Sequence, residues 1–93
     1  MIHTVIWTPR ALQLLAAVWL ATTNRNAVTH ATHEIDNVLE MFPTSAGEVV
    51  FDTVREFSYP PLTVEFEVDD ANHRVFVLSV WDTANGRPAP TGN

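Results

Sequence analysis

The sequence predicts one α+β domain: an N-terminal strand, an antiparallel hairpin of two helices, and a three-stranded antiparallel meander that completes one small sheet with the helices on one face. Residues 2–7 are rich in β-branched residues, residues 9–42 repeat apolar residues at helical spacing, and residues 48–82 carry strand patterns. Because 93 residues suffice for one core, we expect a single domain over residues 1–82 and a disordered tail over residues 83–93.

The first strand leads directly into the first helix. Residues 2–7 contain Ile, Thr, Val and Trp, which favour strands. Thr8 is placed to cap a helix that begins at Pro9, because the first helical turn does not need the amide hydrogen that proline lacks. The apolar residues that follow predict a helix packed into the core; they are Ala11, Leu12, Leu15, Ala16, Val18 and Trp19.

A second helix is predicted from a cap at Asn24 to about Met41. The connection to the first helix is only a few residues long, so the two helices are expected to be antiparallel. The apolar side of this helix consists of Val28, Ala31, Ile35, Val38, Leu39 and Phe42. Residues 43–47 contain Pro and Gly and predict a loop.

Three strand segments complete the predicted fold: residues 48–57, 62–68 and 74–82. Pro60 and Pro61 cannot donate to a sheet ladder, so they place a turn between the first two segments. Residues 69–72 have the Asp and Asn content of a hairpin loop. The last segment is almost entirely apolar and is expected in the interior of the sheet.

Charge is distributed unevenly along the chain, which has a formal net charge of −6 and no lysine. Residues 48–82 carry two arginines against eight acidic residues, so the predicted sheet is acidic. A surface that engages phosphate backbones is expected to be cationic. Direct binding of nucleic acid is therefore disfavoured.

The composition also bears on compartment and cofactors. The longest apolar stretch, residues 11–21, is shorter than the roughly 20 residues that span a bilayer, and no export signal is apparent. The chain has no cysteine, which excludes disulfides and fits a cytoplasmic location. No glycine-rich phosphate-binding motif and no serine nucleophile elbow occur, so no cofactor and no hydrolase triad are predicted.

Histidines offer a metal-site hypothesis that the sequence does not favour. His30, His33 and Glu34 lie within one helical turn and can converge on one ion, but their spacing is not that of the helical zinc proteases. A solvated polar helix face is the preferred interpretation, and no metal site is predicted. His3 and His73 are each interpreted as surface histidines.

Three segments carry a resemblance to a known family. Residues 7–15 (Trp-Thr-Pro-Arg-Ala-Leu-Gln-Leu-Leu), residues 54–57 (Val-Arg-Glu-Phe) and residues 62–68 (Leu-Thr-Val-Glu-Phe-Glu-Val) resemble motifs of the RelE/ParE bacterial toxins. The likeness extends over residues 1–82. It implies a small sheet covered on one face by two helices, with the first strand parallel to the fourth.

The departures from the family pattern favour one branch. Ribonuclease members use several basic residues to stabilise charge as messenger RNA is cut, whereas this chain has Thr63, Phe66 and Trp81 at positions where Arg, Tyr or a basic cluster is usual. Removing one residue that stabilises this charge typically lowers the catalytic rate by ~10²–10³-fold. The resemblance therefore implies a ParE-like toxin that acts by binding protein, with DNA gyrase as the candidate target, and an enzyme is not favoured.

Arg55 is the charged residue with the strongest functional case. In the alternative of a RelE-like ribosome-dependent endonuclease, Arg55 would bind phosphate and His73 would act as acid or base. The structural alternative for this arginine is an ion pair with Asp52, Glu56 or Glu65, and exposed pairs of that kind contribute only ~0–1 kcal/mol.

The resemblance also implies a partner. A small antitoxin from a neighbouring gene would lay an amphipathic segment along apolar grooves of the toxin. Arg55, Tyr59 and Trp81 are the candidates for partner contacts, although core packing is the competing role for both aromatic residues. A homodimer is a further expectation from the small core, and a degenerate, non-toxic binding module of the same fold remains a third functional alternative.

Overall fold

The computed structural model describes residues 2–88, which form a five-stranded mixed sheet with two helices packed on it. The elements in chain order are β1 (Thr4–Trp7), α1 (Pro9–Ala21), α2 (Arg25–Met41), β2 (Glu48–Phe51), β3 (Val54–Tyr59), β4 (Leu62–Asp69) and β5 (Arg74–Asp82). A single 3₁₀ turn, Asp70–Asn72, joins β4 to β5. The predicted α+β class is confirmed.

Both helices begin where the capping residues predict. The Thr8 hydroxyl oxygen accepts a hydrogen bond from the Ala11 amide at 3.3 Å, and the same hydroxyl donates to the Val77 carbonyl at 2.8 Å, which fixes the start of α1 against β5. The Asn24 side chain accepts from the Ala27 amide at 3.1 Å. Side-chain caps of this kind typically contribute ~1 kcal/mol each.

The strand order is β1-β5-β4-β3-β2. β1 runs parallel to β5, and the remaining neighbours are antiparallel. The parallel pairing of the first and last strands agrees with the family resemblance, and the apolar last strand lies in the sheet interior, as predicted. Tyr59 pairs with Leu62 across the Pro60-Pro61 turn, which confirms the predicted break.

The prediction of one strand over residues 48–57 is wrong. The chain reverses at Asp52 and Thr53, so β2 and β3 form an additional antiparallel hairpin and four strands, not three, follow the helices. Asp52 has a φ of 49°, and Asp tolerates this left-handed conformation better than most residues. Because no Gly or Pro marks the turn, the segment has the composition of one continuous strand.

The core lies between the sheet and the helices. Its fully or almost fully buried residues are Val28, Ala31, Ile35 and Leu39 of α2, Leu62, Val64 and Phe66 of β4, and Val75, Val77 and Val80 of β5. Val77 and Val80 are an odd number of residues apart and yet share this face. A register shift explains this, because Phe66 pairs with Val77 while Glu65 pairs with Ser79, which leaves Leu78 unpaired.

α1 contributes less to the core than its apolar pattern predicts. Ala11 is the only residue of α1 that is buried, whereas Leu12, Trp19 and Leu20 are exposed hydrophobic residues. Among residues 2–88, no helix is both long and apolar enough to cross a membrane. Residues 89–93 of the predicted tail lie outside the described residues.

Candidate functional site

The exposed apolar side of α1 and the adjoining side of α2 enclose a groove of about 500 Å³. We call it the helix groove; it is lined by Leu12, Leu15, Ala16, Trp19 and Leu20 of α1 and by Val28, Thr29, Thr32 and His33 of α2. The two helices are joined by the short segment of residues 22–24. The lining of the groove is almost wholly apolar.

Local interactions hold the ends of the helix groove in place. The Arg25 guanidinium lies 4.1 Å from the centre of the Trp19 ring, and its Nε donates to the Trp19 carbonyl at 3.1 Å. The Thr32 hydroxyl donates to the Val28 carbonyl at 2.8 Å, so this polar group is satisfied within its own helix. Trp19 nevertheless remains 40% exposed and Leu20 69% exposed. Such contiguous apolar surface is typical of a protein-binding site.

The opposite face of the sheet is largely polar, and we call it the open face because the helices do not cover it; Thr63 and Glu65 on this face are nevertheless buried. Because side chains alternate along a strand, Thr63 and Glu65 point away from the core that Leu62, Val64 and Phe66 form. Hydroxyl groups connect three segments across this face: Thr63 Oγ1 lies 2.8 Å from Ser58 Oγ and 2.7 Å from Thr83 Oγ1.

Arg87 lies over this open face. It forms an ion pair with Glu65, its Nη2 is 3.9 Å from a Glu56 carboxylate oxygen, and its guanidinium is 5.6 Å from the Trp81 ring centre. Trp81 is only 7% exposed in this arrangement. The positive charge of Arg87 is thus compensated by two carboxylates.

The environment of Arg55 fits neither of the two roles that the sequence suggests for it, which are phosphate binding and an ion pair with a neighbouring acid. Its partner in the ladder is Phe66, which places it on the helix side of the sheet rather than on the open face. Its Nε donates to the Ala46 carbonyl at 3.1 Å and its Nη2 donates to the Gly47 carbonyl at 3.2 Å. Arg55 takes part in none of the salt bridges found among residues 2–88, so the proposed ion pair with a neighbouring acid is not formed.

The other candidate residues lie apart from Arg55. His73 is exposed beside His3, with ring centres 5.4 Å apart, and it shares no contact with Arg55. Tyr59 is half-buried against the core, and its hydroxyl is 3.5 Å from His30 Nε2. The structure therefore does not bring Arg55 and His73 into one site, and the partner-binding roles of Arg55, Tyr59 and Trp81 stay predictions.

Sequence reasoning expected apolar grooves on the toxin but did not locate the helix groove, and it missed the role of Arg87. The helix groove could have been found from α1 itself, since Leu12, Leu15, Trp19 and Leu20 span a wider arc than one sheet contact buries. Arg87 had no such signal, because it lies in a segment without periodicity and reaches Glu65 through the tertiary fold.

Comparisons with known proteins give a consistent fold. The chain matches no protein-family model and no curated protein sequence. It is similar in structure to the RelBE2 toxin-antitoxin complex of Mycobacterium tuberculosis, with 16% identity over 88% of this chain and 99% of that chain and a TM-score of 0.73.

Two further solved structures are similar to the chain. The chromosomal ParDE toxin-antitoxin system of P. aeruginosa has 16% identity over 87% of this chain and 96% of that chain, with a TM-score of 0.66. A mutant of the E. coli toxin RelE in the free state has 17% identity over 91% of this chain and 87% of that chain, with a TM-score of 0.67. The extent of these structural matches shows that this chain has the RelE/ParE toxin fold.

Proposed function

We propose that the chain is the toxin of a type II toxin-antitoxin pair, that it acts in a ParE-like manner by binding a protein target, and that a small antitoxin neutralises it through the helix groove. The observation that carries the proposal is the exposed apolar lining of this groove on a RelE/ParE fold. The candidate target is DNA gyrase, and the antitoxin is the product of a neighbouring gene.

The chemistry of the helix groove supports an amphipathic helix as the segment that binds there. Trp19 and Leu20 provide large exposed apolar surface at one end, and Leu12 extends it along α1. Helices recognised in apolar grooves place anchors at positions i, i+3, i+4 and i+7. Binding would remove this surface from water, and each Å² of apolar area buried contributes roughly 25 cal/mol.

The distribution of charge supports a non-catalytic mode of action. A RelE-like nuclease needs uncompensated cationic donors where charge develops on the phosphate. Arg55 instead donates to two backbone carbonyls, and Arg87 is held by Glu65 and Glu56. His73, the alternative acid or base, lies elsewhere. These contacts favour the ParE-like mode over the endonuclease.

Induced expression of the chain in a bacterial host tests the proposal. We expect colony formation to fall by at least tenfold, with induction of a DNA-damage reporter and with messenger RNA intact, and we expect the neighbouring gene product to restore growth. Growth arrest with cleaved messenger RNA would support the endonuclease instead. Unimpaired growth, with the protein present at comparable levels, would support a degenerate binding module.

A pair of matched variants tests the helix groove. Leu20→Asp places a charge in the groove and should weaken antitoxin binding by at least about 100-fold, because a desolvated unpaired charge is costly in an interface. Met41→Asp is the control, since both residues are exposed in the last turn of their helices and both substitutions meet the same unfavourable helix dipole.

Affinity measured by titration calorimetry, together with rescue of growth by the antitoxin, reports the result. Leu20→Asp should stay toxic and escape neutralisation, whereas Met41→Asp should behave as the parent chain. Equal neutralisation of both variants would place the antitoxin on another surface.

A further inference from the structure

Three potential metal-binding side chains converge at one end of the sheet, and none of them lines the helix groove. His3 precedes β1, Asp70 lies in the 3₁₀ turn, and His73 immediately precedes β5. One ligand atom from each residue can be chosen so that all three atoms lie within 4.8 Å of one another. His3 Nε2 and Asp70 Oδ1 are 2.8 Å apart, and the two imidazole rings meet edge to face at 5.4 Å.

Backbone hydrogen bonds fix the positions from which these side chains extend. The Thr4 amide donates to the His73 carbonyl at 2.7 Å, and the His73 amide donates to the Asp70 carbonyl at 3.2 Å. The His3 amide donates to the Glu40 carbonyl at 2.9 Å, which ties the same point to the end of α2. The cluster is therefore built on paired backbone rather than on a free loop, a condition for a preorganised metal site.

His3 is buried, so its interpretation as a surface histidine is wrong. The residue is only 8% exposed, and its Nδ1 is buried without a hydrogen-bond partner. The side-chain partner of its other nitrogen is the carboxylate of Asp70, which is itself a common metal ligand.

We propose that His3, Asp70 and His73 form a binding site for a divalent transition-metal ion, with Zn²⁺ as the ion that best fits the ligands. Two imidazoles and one carboxylate match the N and O donors of zinc sites, whereas Ca²⁺ and Mg²⁺ prefer all-oxygen coordination. Three protein ligands leave a fourth tetrahedral position for water. This proposal is independent of the proposed toxin function.

The three side chains must shift to form a tetrahedral site. Zinc bonds of roughly 2.0–2.2 Å in a tetrahedron require ligand atoms about 3.3 Å apart, so the His3 and Asp70 atoms, now 2.8 Å apart, must separate slightly. The three ligand atoms lie within 4.8 Å of one another, so a more distant pair must approach by up to about 1.5 Å. The ion would then link the start of β1 to the turn between β4 and β5 and would stabilise their pairing.

Titration of the tag-free, chelator-treated chain with Zn²⁺ alone tests this site. We expect one ion per chain by calorimetry and a rise in Tm, because an ion that binds the folded chain shifts the unfolding equilibrium. Co²⁺ in place of Zn²⁺ should give the visible absorption of a tetrahedral complex. Failure of Zn²⁺ to bind, or binding without a rise in Tm, would overturn the proposal.

Variants at the two exposed ligands avoid damage to the core. His73→Asn removes an imidazole and keeps a residue that tolerates the φ of 54° at this position, and Asp70→Asn removes the charge of the carboxylate. Each should weaken Zn²⁺ binding by at least about tenfold. Even the loss of a residue that only hydrogen-bonds to a metal ligand typically lowers metal affinity by 10–100-fold.

His30→Ala is the matched control, because His30 is an exposed histidine outside the cluster. This variant should bind Zn²⁺ as the parent chain does. Unchanged affinity in both His73→Asn and Asp70→Asn, or loss of binding in His30→Ala, would place the ion elsewhere and refute the site.

Discussion

Gly47→Ala is expected to destabilise the protein by about 2–5 kcal/mol. Gly47 has a φ of 61°, and a Cβ at this position would lie 1.9 Å from the Glu56 carbonyl oxygen and 2.7 Å from its carbon. Both atoms belong to the backbone of β3, so no side-chain rotation relieves the overlap. The left-handed conformation costs ~1–2 kcal/mol for a residue with a Cβ, and forced displacement of packed groups typically adds ~1–3 kcal/mol.

Gly86→Ala separates these two contributions. Gly86 also has a positive φ, 75°, but a Cβ there would meet nothing within 4 Å. This variant should therefore lose only the conformational part, ~1–2 kcal/mol. Urea unfolding of both variants and of the parent chain gives the comparison. Equal losses for Gly47→Ala and Gly86→Ala would mean that β3 and the preceding loop do not approach as closely as the structure has them.

The close approach at Gly47 explains what Arg55 does in the fold. The guanidinium of Arg55 holds the carbonyls of Ala46 and Gly47, and this fixes the loop between α2 and β2 against β3. An arginine that donates to backbone carbonyls on the helix side of the sheet is not free to bind phosphate on the open face. A loss of toxicity in an Arg55 variant would thus report on the fold before it reported on a catalytic role.

Sequence patterns were sufficient to predict the elements whose signals lie within the element itself. Thr8 with Pro9, and Asn24, define both helix starts because a cap acts within its own first turn. The alternation from Leu62 to Val68 identifies the apolar side chains of β4 that join the core, because successive strand side chains point to opposite faces, although Thr63 and Glu65 on the other face are buried as well. The parallel pairing of β1 with β5 came from the family resemblance rather than from any local pattern.

Features that depend on distant residues could not be predicted. The reversal at Asp52 has no Gly or Pro, and it becomes a turn only because β2 pairs back onto β3. His3 and His73 each have the pattern of an isolated surface histidine. The pairing of β1 with β5 brings them together, and that contact joins residues 70 positions apart. The candidate metal site is therefore a property of the topology.

Phe66→Ala is expected to lower the free energy of unfolding by about 3–5 kcal/mol, the usual cost of removing a buried aromatic ring. Phe66 is fully buried in β4, the central strand, where its ladder partners are Arg55 of β3 and Val77 of β5. The cavity would lie at the register shift, where the Glu65 and Phe66 pairings already skip Leu78. Few neighbouring groups can therefore close it without disturbing the ladder.

Phe42→Ala is the matched control, because Phe42 is 60% exposed at the end of α2 and its removal leaves no enclosed cavity. Its cost should stay below about 1 kcal/mol, as for most surface substitutions. Urea unfolding in the presence of a chelator excludes any contribution from bound metal, and a shift in midpoint with an unchanged slope would report a loss of stability alone. If the two variants unfolded at the same urea concentration, Phe66 would not occupy the centre of the core. Because small domains are stable by only ~5–15 kcal/mol, the Phe66 variant should also be the one that loses toxicity through reduced folding.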